Sequence, residues 1–287
     1  MTRPMDDRER IFKLIETADN FVKYAGPGRE QRGADRARKR YMKAARLAEG
    51  AKDDELLGQI KLRLEDLDRR ATLEPGVADT SDDSESGGSI LTSDLPAHAQ
   101  ARVPPHQRVT RGWPVLHEGP IPRFDPESWR LTVDGACEAP FELTYVELKD
   151  LPNAELTSDF HCVTGWSKLD NLWRGVQTRL LLERASPRND AAHVLIHAEY
   201  GYTANVPLER LMAEDALVTW MHNGSDLAPK HGFPLRALVP PLYAWKSVKW
   251  VRRLELLTED RRGFWEVRGY HNRADPWLEE RYSYQEQ

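Results

Sequence analysis

The run Thr80-Ser-Asp-Asp-Ser-Glu-Ser-Gly-Gly-Ser89 is acidic, small and polar, with almost nothing to bury. Such a segment cannot offset the entropy of ordering with apolar contact, so residues 74–102 read as a flexible linker. It divides the 287 residues into two pieces that follow different periods, and each must build its own core. With 40% hydrophobic and 30% charged residues, both pieces have the material to do so.

Residues 1–73 carry a helical period. From Asp7 to Ala25 the apolar positions Ile11, Leu14, Ile15, Ala18, Phe21 and Val22 recur at three and four, and Gly26-Pro27-Gly28 stops the pattern. A second helix is expected over Ala34–Ala48 and a third over Asp53–Arg70, the latter opening on acidic residues that suit a helix N-terminus. The sum is a small α-helical hairpin or bundle.

Residues 103–287 are richer in Trp, Tyr, Pro and β-branched side chains. Strands are expected at Trp129–Gly135, Phe141–Leu143, Glu155–Cys162, His193–Ala198, Ala216–Met221, Phe233–Val239 and Ser247–Leu257. Thr144 and Glu147 have capping-box spacing and open a short helix to Leu151. Further helices are expected over Val176–Arg184 and Pro207–Met212, and Asn223-Gly224 marks a hairpin turn. Short strands broken by short helices make this an α+β domain, not a doubly wound sheet.

The net charge of −5 gives no electrostatic case for nucleic acid. No apolar run reaches the roughly 18 residues of a membrane span, and no secretory or twin-arginine pattern is visible, so the expected location is the cytoplasm. Two cysteines, Cys137 and Cys162, supply neither a disulfide framework nor a four-ligand zinc site. Neither GxGxxG nor GxxxxGK[ST] occurs, so nucleotide binding by those loops lacks support.

Four segments are candidates to share a cavity. Phe160-His-Cys162-Val-Thr-Gly-Trp-Ser167 places a cysteine at a strand end. The others are Arg111-Gly-Trp-Pro-Val-Leu-His117-Glu-Gly119, Asn223 through Arg236, and Pro240 through Trp250. Together they resemble the molybdopterin-binding domain of the sulfite oxidase family, most closely its short bacterial members and more distantly the molybdenum subunit of periplasmic methionine-sulfoxide reductase. The resemblance covers about 103–287 and leaves out the helical N-terminus.

That resemblance implies a molybdenum–molybdopterin cofactor, with Cys162 as the metal's thiolate ligand and as the catalytic residue. It implies pterin and phosphate contacts from His231, Arg236, Ser247, Val248 and Lys249, from Ala198 through its backbone, and from an early loop around His117. His161 and Lys246 are candidate cofactor contacts beside them. The chemistry agrees. A soft thiolate suits a sulfur-ligated metal, and a phosphate dianion wants an Arg fork and a Lys point charge. The implied reaction is two-electron oxygen-atom transfer on a small oxyanion or S-oxide, with a separate haem or flavin protein exchanging the electrons. The family's Cys-x-x-Asn-Arg-Arg run is replaced here by Cys162-Val-Thr-Gly-Trp-Ser, which removes two arginines expected for sulfite. The alternatives are a metal-free Cys–His enzyme with Cys162 as nucleophile, and a non-catalytic interaction protein.

Overall fold

A computed structural model describes residues 6–23, 30–72 and 88–286, which fall into two compact units. One unit comprises the described residues up to 75 together with 116–119 and 267–269. Its helices are α1 (Asp7–Lys23), α2 (Glu30–Ala51) and α3 (Asp54–Thr72). The apolar stripes become its core: Ile11, Ile15 and Ala18 on α1, Ala37, Tyr41, Ala44 and Ala48 on α2, and Leu56, Ile60 and Leu67 on α3 are all buried. The Asp53 carboxylate caps α3 by accepting from the Leu56 N–H at 3.0 Å. Asp19 and Arg63 are buried with them. Asp19 accepts from the Tyr41 hydroxyl and from Arg63 Nε, so each charge offsets the other's desolvation.

The second unit holds the described residues of 88–115, 120–266 and 270–286. Of the expected linker, positions 74–87 lie outside the described residues. From Ser89 onward the expectation is corrected, because β1 (Ser89–Ile90) pairs antiparallel with a later strand and a short helix, α4 (Ala97–Gln100), follows. A polar composition does not stop two residues from completing a sheet edge. The chain continues through β2 (Arg108–Thr110), β3 (Arg130–Gly135), β4 (Phe141–Thr144), α5 (Tyr145–Asp150), β5 (Ala154–Cys162), β6 (Trp166–Gln177) and α6 (Thr178–Ala185). After these come β7 (His193–Ala198), β8 (Thr203–Pro207), α7 (Leu208–Leu211), β9 (Leu217–His222), β10 (Ser225–Asp226), β11 (Arg236–Leu238) and β12 (Val251–Leu257).

The strands form two sheets, and the class is α+β. One sheet runs β1-β2-β6-β9-β10, with β5 added to β6 and β11 to β9; the other runs β4-β3-β12-β7-β8. A single core draws Val176, Val218 and Ala237 from the first and Leu131, Val133, Ile196 and Leu254 from the second. The capping box forms as spaced: Thr144 Oγ1 accepts from Glu147 N, and Glu147 accepts from Thr144 N. The Asn223-Gly224 turn takes positive φ at both residues, 50° and 81°.

Two expected strands are shorter than their sequence pattern. Residues 233–235 and 247–250 lie outside strands, and the second of these irregular stretches carries the candidate site residues Ser247, Val248 and Lys249. β6 escaped the sequence reading. It pairs β5 on one side and β9 on the other, and Gly175 lets β9 in: a Cβ there would stand 2.1 Å from the Val218 carbonyl oxygen. Among the described residues no helix is long and apolar enough to cross a membrane.

Candidate functional site

The site starts at the β5–β6 hairpin. Cys162 pairs with Trp166 and His161 with Ser167, so Cys162 and Trp166 share one face while His161 and Ser167 share the other. The connecting turn is closed by Gly165 N–H donating to the Cys162 carbonyl at 3.0 Å, with Gly165 at φ +92°. Two side chains fix the same turn: Gln107 Nε2 donates to the Cys162 carbonyl at 3.1 Å, and Arg281 donates to the Val163 carbonyl. The sulfur is thereby held by its main chain. It is buried, and its hydrogen-bond partner is the Thr164 hydroxyl at 3.1 Å, not an imidazole.

His161 departs from its expected place. On the far face, its Nδ1 lies 2.9 Å from Ser167 Oγ and its ring stands edge-on to Trp277 at 6.4 Å. Burial pushes its pKa down to about 4, so it is a neutral core imidazole there. Alternation along the strand dictates this: the residue next to one that faces a cavity faces away from it.

The cations converge on the sulfur's side. Arg236 opens β11 and forms a bridge with Lys249. Arg236 is 3% exposed; its Nη1 donates to the His231 carbonyl at 2.9 Å and its Nε is buried without a partner. Its guanidinium carbon sits 4.8 Å from the centre of the Phe160 ring and 5.5 Å from that of Trp113, two aromatic faces that attract a cation. Lys249 Nζ donates to the Lys230 carbonyl at 2.6 Å. Neither cation has a carboxylate partner among the described residues. Burial pulls Arg236 down to about 9 and Lys249 well below its ordinary value; each is within electrostatic reach of Cys162, whose thiolate form favours both charges. Gly232, at φ +117°, permits this approach: a Cβ there would lie 3.2 Å from Arg236 Cβ and 3.3 Å from Lys249 Cα.

His231 completes the cluster. Burial, then the charges of Lys249 and Arg236, push its pKa down to about 2, so the ring is neutral. Trp113 stacks on it at 3.9 Å with 7° between planes. Trp113 thus touches both His231 and Arg236, a role that the sequence reading did not assign to it. A tryptophan in the Arg111-Gly-Trp113 run, ahead of the β-rich region, was the available signal.

The neighbouring loop divides its duties. Ser247 Oγ accepts from Val239 N at 2.9 Å and the Val248 carbonyl accepts from Ala237 N at 2.8 Å, which lays residues 247–249 along β11. Ala198 ends β7 opposite Val251, its N–H donating to the Tyr202 carbonyl at 2.8 Å. Lys246 is corrected. It is fully buried, donates to the Asn205 carbonyl and Oδ1 at 2.8 and 2.9 Å, and pairs with Glu266, which also accepts from Trp245 Nε1 at 2.9 Å. Its charge is already met, so it offers none to a cofactor. His117 belongs to the helical unit, exposed, with Nδ1 2.9 Å from the Gly119 carbonyl oxygen.

The β5–β6 hairpin thus sets a buried thiol within electrostatic reach of buried Arg236 and half-buried Lys249, in a mixed β-rich domain. Residues 118–265 match the family of the oxidoreductase molybdopterin binding domain, and the chain belongs to that family. It is 46% identical over 184 residues to the uncharacterized oxidoreductase YuiH of Bacillus subtilis (strain 168), covering 64% of this chain and 93% of that protein. It is 28% identical over 236 residues to NADH nitrate reductase 2 of Nicotiana tabacum, 66% of this chain but 26% of that enzyme, so it spans about a quarter of such relatives. A solved structure, the sulfane dehydrogenase SoxCD from Paracoccus pantotrophus, aligns with TM-score 0.48 and 19% identity over 66% of this chain and 58% of that one. The protein is therefore an oxidoreductase of the molybdopterin-binding type.

Proposed function

We propose that Cys162 ligates the molybdenum of a molybdopterin whose phosphate is held by Arg236 and Lys249, and that the protein catalyses two-electron oxygen-atom transfer on a small sulfite-like or sulfoxide-like substrate. The observation that carries this reading is the buried Arg236 and half-buried Lys249 beside the thiol, with no carboxylate partner for either among the described residues. Uncompensated buried charge is costly, and an anionic ligand removes the cost. Two buried donors without partners, Arg236 Nε and the Trp166 indole N–H, point to the same need.

Each residue then has a task. Arg236 offers a fork and Lys249 a point charge to phosphate oxygens, while the loop 247–249 brings its backbone alongside. Neutral His231, fixed by Trp113, adds a hydrogen-bonding ring without adding charge. The Cys162 main chain is clamped, so the sulfur keeps its position as the substrate changes. Bound molybdopterin would supply a metal able to exchange two electrons with the substrate, with water as the source or sink of the oxygen atom and a separate haem or flavin protein as the source or sink of the electrons.

Molybdenum and pterin content, measured in protein made in a host that synthesises the cofactor, is the direct test. Stoichiometric metal is expected, and Cys162→Ser should keep the pterin while losing turnover in a screen of sulfite, sulfoxides and N-oxides. Folded protein free of molybdenum, or full turnover in the serine variant, would overturn the proposal.

A further inference from the structure

The contact at the sulfur itself has a consequence for the metal. Thr164 lies two residues after Cys162 in the turn between β5 and β6, half-buried, with Oγ1 3.1 Å from Sγ. In the thiol form either atom serves as donor. A metal-bound thiolate has no proton left to give, so in that state this contact is a hydrogen bond with the hydroxyl as donor and the sulfur as acceptor. The geometry is built in. The β-branched side chain has few rotamers, and the turn is fixed by the Gly165-to-Cys162 hydrogen bond, Gln107 and Arg281.

We infer that Thr164 is a positioning residue that sets the donor strength of Cys162 toward the metal, an inference that rests on the cofactor reading above. A hydrogen bond to a ligating thiolate draws electron density from sulfur and weakens its donation to the oxidised metal, which raises the reduction potential. The hydroxyl also fixes the direction in which the sulfur presents its remaining lone pairs. This site has no imidazole or backbone N–H bonded to the sulfur among the described residues, so the hydroxyl alone supplies that withdrawal.

The test is a redox titration of the molybdenum-loaded protein, followed through the electron paramagnetic resonance of its half-reduced metal. Thr164→Val and Thr164→Ala remove the donor with different volumes, and Thr164→Ser restores it. The expected result is a more negative potential in the Val and Ala variants, a changed resonance signature, and wild-type behaviour in the Ser variant, at equal molybdenum content and equal thermal midpoint. An unchanged potential in Val and Ala at wild-type loading overturns the role of Thr164 alone. A wild-type resonance in Cys162→Ser overturns the ligation reading itself, so the two failures are told apart.

Discussion

Lys246 and Lys249 share one loop and one side-chain type, and both are drawn out of water, yet they meet different partners. Lys246 finds the Glu266 carboxylate and the Asn205 amide oxygen; Lys249 finds the Lys230 carbonyl, with the Arg236 cation nearby. The first arrangement is closed, because each charge within it is met by protein. The second is open, since it gathers like charges that meet only backbone carbonyls and no carboxylate among the described residues. The contrast teaches how to read buried charge: a paired ion holds the fold, and an unpaired cluster marks where a ligand belongs.

The largest expected effect tests the closed half. Lys246→Met strands the Glu266 carboxylate in the core, so the unfolding free energy should fall by about 3–5 kcal/mol in urea titration. A variant as stable as wild type would break the contrast. Next comes the open half. Lys249→Met should leave the stability of cofactor-free protein within about 1 kcal/mol of wild type, or raise it, because an unneutralised charge has been removed. The same variant should weaken binding of inorganic phosphate, read by calorimetry, by about 1.5–3 kcal/mol, the worth of a hydrogen bond to a charged group. Equal phosphate affinity in both proteins would sink the assignment.

The smallest effect concerns protons. His231, with its pKa pushed down to about 2, stays neutral in the folded protein while its unfolded counterpart protonates near 6.5. Its contribution to stability is therefore complete above that pH and is lost as pH falls, by about 1.4 kcal/mol per pH unit. His231→Gln should take up one proton fewer on unfolding between about pH 6 and 5; parallel stability curves for the two proteins would show that the ring titrates freely.

What the sequence made legible was local. The helical stripes, the capping box at Thr144, the Asn223-Gly224 turn and the strand ending at Cys162 all depend on neighbours within a few residues. Arg236 entered through the family resemblance, and its burial without a carboxylate partner among the described residues is a tertiary fact that no local pattern carries. By residue type alone Lys246 and Lys249 look alike, because the counter-ion that separates them, Glu266, lies in a distant segment. β6 was missed because its period of two is broken. Asn171, Trp173 and Gly175 are buried with Leu172 and Arg174 outside, but Asp170 at φ 56° interrupts the alternation upstream. Trp113 received no role of its own because stacking on a histidine is invisible without the fold.

That interruption in β6 matters beyond its strand. Between the Ser158–Asn171 and Phe160–Lys168 pairs, Asp159 alone faces two residues, Leu169 and Asp170, and Arg102 binds both aspartates there. Removing one residue from β5 ahead of His161 would turn the strand end over and bring Val163 to where sulfur now stands. Length changes in this hairpin that keep its chemistry are thus confined to even numbers, so its divergence among descendants should proceed in steps of two.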